Sequence, residues 1–202
     1  MLITAAQFKE HYPLLTGSGE NAVIETLIGR ADGLLALFCG FPVADDGTRS
    51  LTSKTYTRYP KGPRTDAVRA LELGIRPVIS ITSAHVDPDW DYDTDTEVAA
   101  GDMVVDGAQG TLLLKRSASA AWSTELRANK VVLVAGFAAA PDELVALAAA
   151  QVRHLWDLRR TQGQVSAQFG GDQVTYSDAV ALIPESVRAL LGPYILWESR
   201  LG

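Results

Sequence analysis

Apolar residues recur at helical spacing near both ends of the chain and at alternating positions between them. Val23, Ile24, Leu27, Ile28, Ala31, Leu34, Leu35 and Phe38 fall on one face of a helix starting near Glu20 or Asn21. Glu20 and Glu25 sit early, where the helix dipole favours acids; Gly40 and Pro42 mark the stop. Upstream, Thr4-Ala5-Ala6-Gln7 reads as a capping box opening a short helix to about His11, ended by Pro13. Gly17-Ser18-Gly19 is the turn between the two. The third helix opens at Pro141, with Asp142 and Glu143 in its first turn. It buries Leu144, Val145, Leu147, Ala148, Val152, Leu155 and Trp156 and ends near Arg159 and Arg160. A last short helix runs from Pro184 to Leu191.

Between Leu51 and Phe137 the period shortens to two. Strands are expected over 51–59, 67–73, 77–86, 103–105, 111–114 and 131–134, with a further alternating run from Trp90 to Val98. Asp106-Gly107, Gln109-Gly110 and Ala128-Asn129 read as the turns that separate them. Many short strands at this spacing predict a small antiparallel sandwich or barrel. The chain is therefore expected to be α+β: a small helical bundle, made of the N-terminal helix pair and the C-terminal helices, with an inserted antiparallel β-sandwich or barrel-like subdomain. The expected divisions are 1–42, 43–137 and 138–202. The helices flanking the insert must bury their apolar stripes against each other, because neither stripe can stay wet.

Composition narrows the function. The 202 residues are 47% apolar, enough for a real core. Eighteen basic against 24 acidic residues leave a net charge of −6, which disfavours adhesion to nucleic acid or to anionic membranes. The one cysteine, Cys39, excludes a disulfide framework and reads as a buried small hydrophobe. Neither a signal peptide nor a run of about 20 apolar residues is visible, so a soluble protein of the cytoplasm, with no membrane partner, is expected.

Candidate chemistry is sparse. The acidic run Asp87, Asp89, Asp91, Asp93, Asp95 and Glu97 invites a calcium site. The register is wrong for an EF-hand: counted from Asp87, position six is Tyr92 rather than Gly, and position twelve is Val98 rather than Glu. Alternation offers a simpler account, a strand whose aspartates, Asp87 included, face water while Trp90, Tyr92, Thr94 and Thr96 face a core or partner. His11, His85 and His154 lack metal-ligand spacing. No nucleophile elbow, phosphate loop or dinucleotide fingerprint is present. A hydrolase built on His85 and the neighbouring aspartates is the weakest reading, since no motif supplies a nucleophile. No catalytic, cofactor or metal residue is therefore assigned, and no enzyme is expected.

Two features suit binding instead. The Gly-, Ser- and Gln-rich stretch 161–178 reads as a flexible loop kept for a partner, carrying Phe169 and Tyr176. The tail Tyr194, Ile195, Leu196 and Trp197, with Arg200, either packs on the protein's own core or docks on another subunit. A rival assignment is a carbohydrate- or protein-binding β-module using Trp90, Tyr92 and Trp122 as an aromatic platform.

The order of segments resembles a family. Arg76-Pro77-Val78-Ile79-Ser80-Ile81-Thr82-Ser83 leads through the acidic run to Gly110-Thr111-Leu112-Leu113-Leu114. Val131-Val132-Leu133-Val134-Ala135-Gly136-Phe137 is followed by Pro141-Asp142-Glu143-Leu144. Ile183-Pro184-Glu185-Ser186-Val187-Arg188-Ala189-Leu190-Leu191-Gly192-Pro193-Tyr194 closes the series. Over nearly its whole length the chain resembles the head–tail connector (adaptor) proteins of tailed bacteriophages and gene transfer agents, in their longer form with a β-insert. The resemblance implies a virion protein of the neck, assembled in the host cytoplasm. Its subunits would form a ring, usually dodecameric, bound to the portal protein on one side and to a tail-side stopper or tail terminator on the other. DNA would pass through without specific binding. The segment implied to dock on the portal is Tyr194–Gly202.

Overall fold

The computed structural model describes residues 1–13, 20–62, 69–161, 166–169, 172–175 and 182–196. In chain order the elements are α1 (Ala5–His11), α2 (Asn21–Phe38), β1 (Lys54–Arg58), β2 (Ala70–Glu72), β3 (Val78–Val86), β4 (Met103–Asp106), β5 (Thr111–Leu114), β6 (Asn129–Ala135), α3 (Asp142–Thr161), β7 (Ser166–Phe169), β8 (Asp172–Thr175) and α4 (Glu185–Leu190). Short 3₁₀ turns occupy Thr94–Thr96, Ala100–Asp102 and Gly192–Tyr194. Two compact units result: Met1–Cys39 with Ala140–Ile195, and Gly40–Ala139 with Leu196–Gly202. No helix among the described residues is long and apolar enough to cross a membrane.

The first unit is helical. α1 begins with the reciprocal bonds of a capping box: the Gln7 amide donates to the Thr4 hydroxyl at 3.2 Å, and the Thr4 amide donates to Gln7 Oε1 at 2.9 Å. α2 buries Ile24, Leu27, Ile28, Ala31 and Leu35 along one stripe. α3 packs against it with Leu144, Ala148, Val152 and Trp156. Each such large side chain contributes about 1.5–3 kcal/mol when withdrawn from water, so this seam dominates the unit. α2 stops where expected: the Cys39 amide donates to the Leu35 carbonyl and Gly40 takes φ +80°. Cys39 is fully buried, and burial pushes its thiol up to about 12.

The second unit holds two antiparallel three-stranded sheets, ordered β1-β6-β3 and β2-β5-β4. In β6 the residues Asn129, Val131, Leu133 and Ala135 are buried and their neighbours half-buried, the alternation expected of a strand with one face on a core. Tyr56 of β1 and Leu71 and Leu112 of the second sheet complete that core. Neither sheet closes, so the barrel-like form anticipated from sequence is corrected to two small open sheets. β1 cannot take up a further strand over its whole outer edge. The Asp45 amide donates to the Thr55 carbonyl, and the Asp45 carboxylate accepts from the Thr57 amide and hydroxyl, each at 2.8 Å. Beside it Asp46 pairs with Lys54 at 2.7 Å.

Three sequence expectations are overturned locally. The run Trp90–Val98 is not a strand but a turn followed by a 3₁₀ turn. Asn129 does not mark a turn; it is the buried first residue of β6, and its side chain holds the loop before it. The stretch 161–178 is not structureless: β7 and β8 form an antiparallel hairpin pairing Ser166 with Thr175 and Phe169 with Asp172.

Candidate partner-binding surfaces

The tail proposed for docking begins in the 3₁₀ turn Gly192–Tyr194, where Tyr194 is half-buried. Burial first, then the nearby Glu143 carboxylate, raises the Tyr194 phenol above its ordinary value. Ile195 is half-buried, and Leu196 is only 4% exposed. Leu196 lines an open cavity of about 290 Å³ together with Gly74, Ile75, Arg76, Gln109 and Gly110. Trp197, Arg200 and Tyr176 lie outside the described residues, and Phe169 is the last residue of β7.

The acidic run folds around its first member. Asp87 is 4% exposed rather than facing water, which corrects the alternating-strand reading. Its carboxylate accepts the Tyr92 amide at 2.6 Å and the Asp89 amide at 2.8 Å. These bonds, that of Tyr92 foremost, hold the carboxyl below its usual range despite the opposing effect of burial. The chain must curl to bring those amides to one carboxylate, so Trp90 and Tyr92 adopt φ +69° and +55°. Asp89, Asp91, Asp93 and Asp95 remain exposed. Among the described residues no group of three or more His, Cys, Asp or Glu is placed to hold a metal ion.

The aromatic platform inferred from Trp90, Tyr92 and Trp122 does not form. Trp122 is 2% exposed, and its indole N–H donates to the Arg69 carbonyl at 3.0 Å, a core position. A different cluster surrounds Tyr92. The Arg127 guanidinium lies 4.6 Å over the Tyr59 ring and the Lys130 ammonium 4.7 Å over that of Tyr92. The Tyr59 and Tyr92 centroids are 5.9 Å apart, and His85 meets Tyr92 edge-on. The ring nitrogen Nδ1 of His85 lies 3.3 Å from the Asp93 carbonyl, which gives this histidine a role in holding the turn. Tyr59, Arg127 and Lys130 were not singled out from sequence; they meet because β1 and β6 pair Arg58 with Val131, which brings both strand ends to one place.

No protein-family model matches the chain, and no curated protein matches it in sequence. Solved structures do match. One is a chain from the neck of an empty gene transfer agent (GTA) particle computed with C6 symmetry. It is 19% identical, with 96% of this chain and 89% of that one covered and a TM-score of 0.59. Another is a chain from the neck of a native GTA particle computed with C12 symmetry. It is also 19% identical, covering 94% and 86%, with a TM-score of 0.52. Over nearly its whole length the chain thus shares the fold of these GTA neck chains, in accord with the resemblance to head–tail connectors seen in the sequence.

Proposed function

We propose that the protein is a structural component of a particle neck: a head–tail connector whose copies form a ring joining the portal to the tail-side proteins. The observation that carries this reading is the likeness in fold to GTA neck chains over 96% of its length. Both units take part in that likeness, so it is not the match of a common helical hairpin alone. Symmetry of C6 and C12 in the neck structures supports a closed ring of this chain, which needs heterologous contacts between identical subunits. The net charge of −6 supports a passage that lets DNA slide instead of gripping it. Catalysis plays no part in this role.

The tail contributes in two ways on this account. Leu196 is buried at home, and the residues beyond it, Trp197 and Arg200 among them, dock on the portal. Co-sedimentation with portal rings tests the reading: the full chain is expected to pellet with them, and a chain ending at Leu196 to stay in the supernatant. A full chain that never pellets with portal would refute it.

A further inference from the structure

Arg127 and Lys130 carry charges that no acid of the described chain neutralises. Their cationic groups lie over the Tyr59 and Tyr92 rings, and neither side chain makes a hydrogen bond or an ion pair among the described residues. A ring face attracts a cation without cancelling its charge, and the N–H groups stay free to donate. Acids are close at hand: Asp89, Asp91, Asp93 and Asp95 are exposed in the turn that carries Tyr92, yet none of them pairs with either cation. The cations are also held in place. The two rings are 5.9 Å apart, and Lys130 stands on β6 opposite His85 of β3, which meets Tyr92 edge-on. Such fixing in the free protein lowers the ordering cost of an anionic contact.

Apolar groups lie in the same short segments. Leu126, next to Arg127, is 68% exposed, and Trp90, two residues before Tyr92, is 57% exposed. Tyr59 also lines an open cavity of about 510 Å³ with Arg58, Pro60 and Lys61, and with Glu72 as its one acid among the described residues. Arg, Tyr and Trp are the residues enriched where proteins bind one another. We infer that Tyr59, Tyr92, Arg127 and Lys130 form a docking site for an acidic segment of another protein, whose carboxylates engage the two cations while an apolar neighbour covers Leu126. The charge pattern selects this occupant. A nucleic acid presents an unbroken row of phosphates, which the four exposed aspartates of the adjoining turn repel. Separate carboxylates on a peptide meet the cations and avoid the turn. A second copy offers its own acidic turn, but turn and cations lie side by side, so copies meeting there would pair two by two instead of closing a ring. That exclusion alone rests on the ring proposed above.

Calorimetric titration of the full chain tests the site. The probe is a capped peptide of leucine and glutamate. Its controls are the same peptide with glutamine in place of glutamate and a short DNA duplex of mixed sequence. The acidic peptide is expected to bind saturably and to weaken as sodium chloride is raised, a readout that needs no variant. Arg127→Gln and Lys130→Gln, made singly and together and checked by thermal melts, should weaken it, the double variant by roughly tenfold or more. Leu126→Ser, which leaves both cations, should weaken it at every salt concentration. No binding of the acidic peptide, equal binding of its glutamine counterpart, or tighter binding of the duplex would overturn the inference. So would salt-sensitive dimers of the chain itself that the double variant abolishes, since the occupant would then be a second copy. None of these results bears on whether the chain forms a ring on the portal, so the site and the proposed function fail separately.

Discussion

The Tyr92 hydroxyl donates to the Arg127 carbonyl at 2.6 Å, joining two residues that both hold left-handed backbone, at φ +55° and +62°. The bond ties the acidic turn to the loop before β6, and the Arg127 side chain then reaches over Tyr59. Tyr92→Phe keeps the ring and removes only this bond. The expected cost is about 1 kcal/mol, a drop of roughly 2–4 °C in Tm for a chain of this size. Calorimetry checks it, and an unchanged Tm would show that the turn is held without the hydroxyl.

Asn129 makes the stronger demand. Its Oδ1 accepts the Ser123 amide at 3.0 Å and its Nδ2 donates to the Ser123 carbonyl at 2.8 Å, from a site with no solvent exposure. Asn129→Ala strands both backbone groups, at about 1–3 kcal/mol for a buried unsatisfied polar group. Denaturant unfolding should show a lower midpoint with an unchanged slope.

Asp87 makes stability depend on pH in acid. Its carboxyl titrates lower in the folded chain than in the unfolded one, so between those two values the unfolded state binds more protons. The contribution is complete above the ordinary aspartate range, near 4, and is lost as pH falls through the folded value. Asp87→Asn, which gives up an acceptor, is expected to be less stable than the parent at pH 7. The gap should narrow below about pH 4; a gap independent of pH would contradict the assignment.

Leu196 and the residues after it are predicted to separate. Leu196→Ala empties a buried position and should cost about 2 kcal/mol or more of stability. Ending the chain at Leu196 should leave the melting temperature near that of the parent while abolishing portal association. Stability is read by thermal melts and association by sedimentation, so the two effects are distinguishable.

How much of this was legible in sequence follows from which force decides each element. α2 was readable because Ile24, Leu27, Ile28, Ala31 and Leu35 repeat at the helical period, and Gly40 supplies the backbone that ends it. β6 was readable within two residues for the same reason at period two. Trp90–Val98 misled because acid and non-acid residues alternate as in a strand, while the Asp87 carboxylate collects amides from the residues after it, a local competition that periodicity does not register. The hairpin 166–175 was hidden by its weak apolar pattern, although the Gly170-Gly171 pair between two short runs is a hairpin signal by itself. The Tyr59, Tyr92, Arg127 and Lys130 cluster depends on strand register between distant segments, which spacing along the chain does not reveal.

The central claim is tested most directly by electron microscopy of the purified chain mixed with its portal. A closed ring of copies seated coaxially on the portal is the predicted result. A chain that remains monomeric and unassociated, at concentrations where the portal itself is intact, would contradict it.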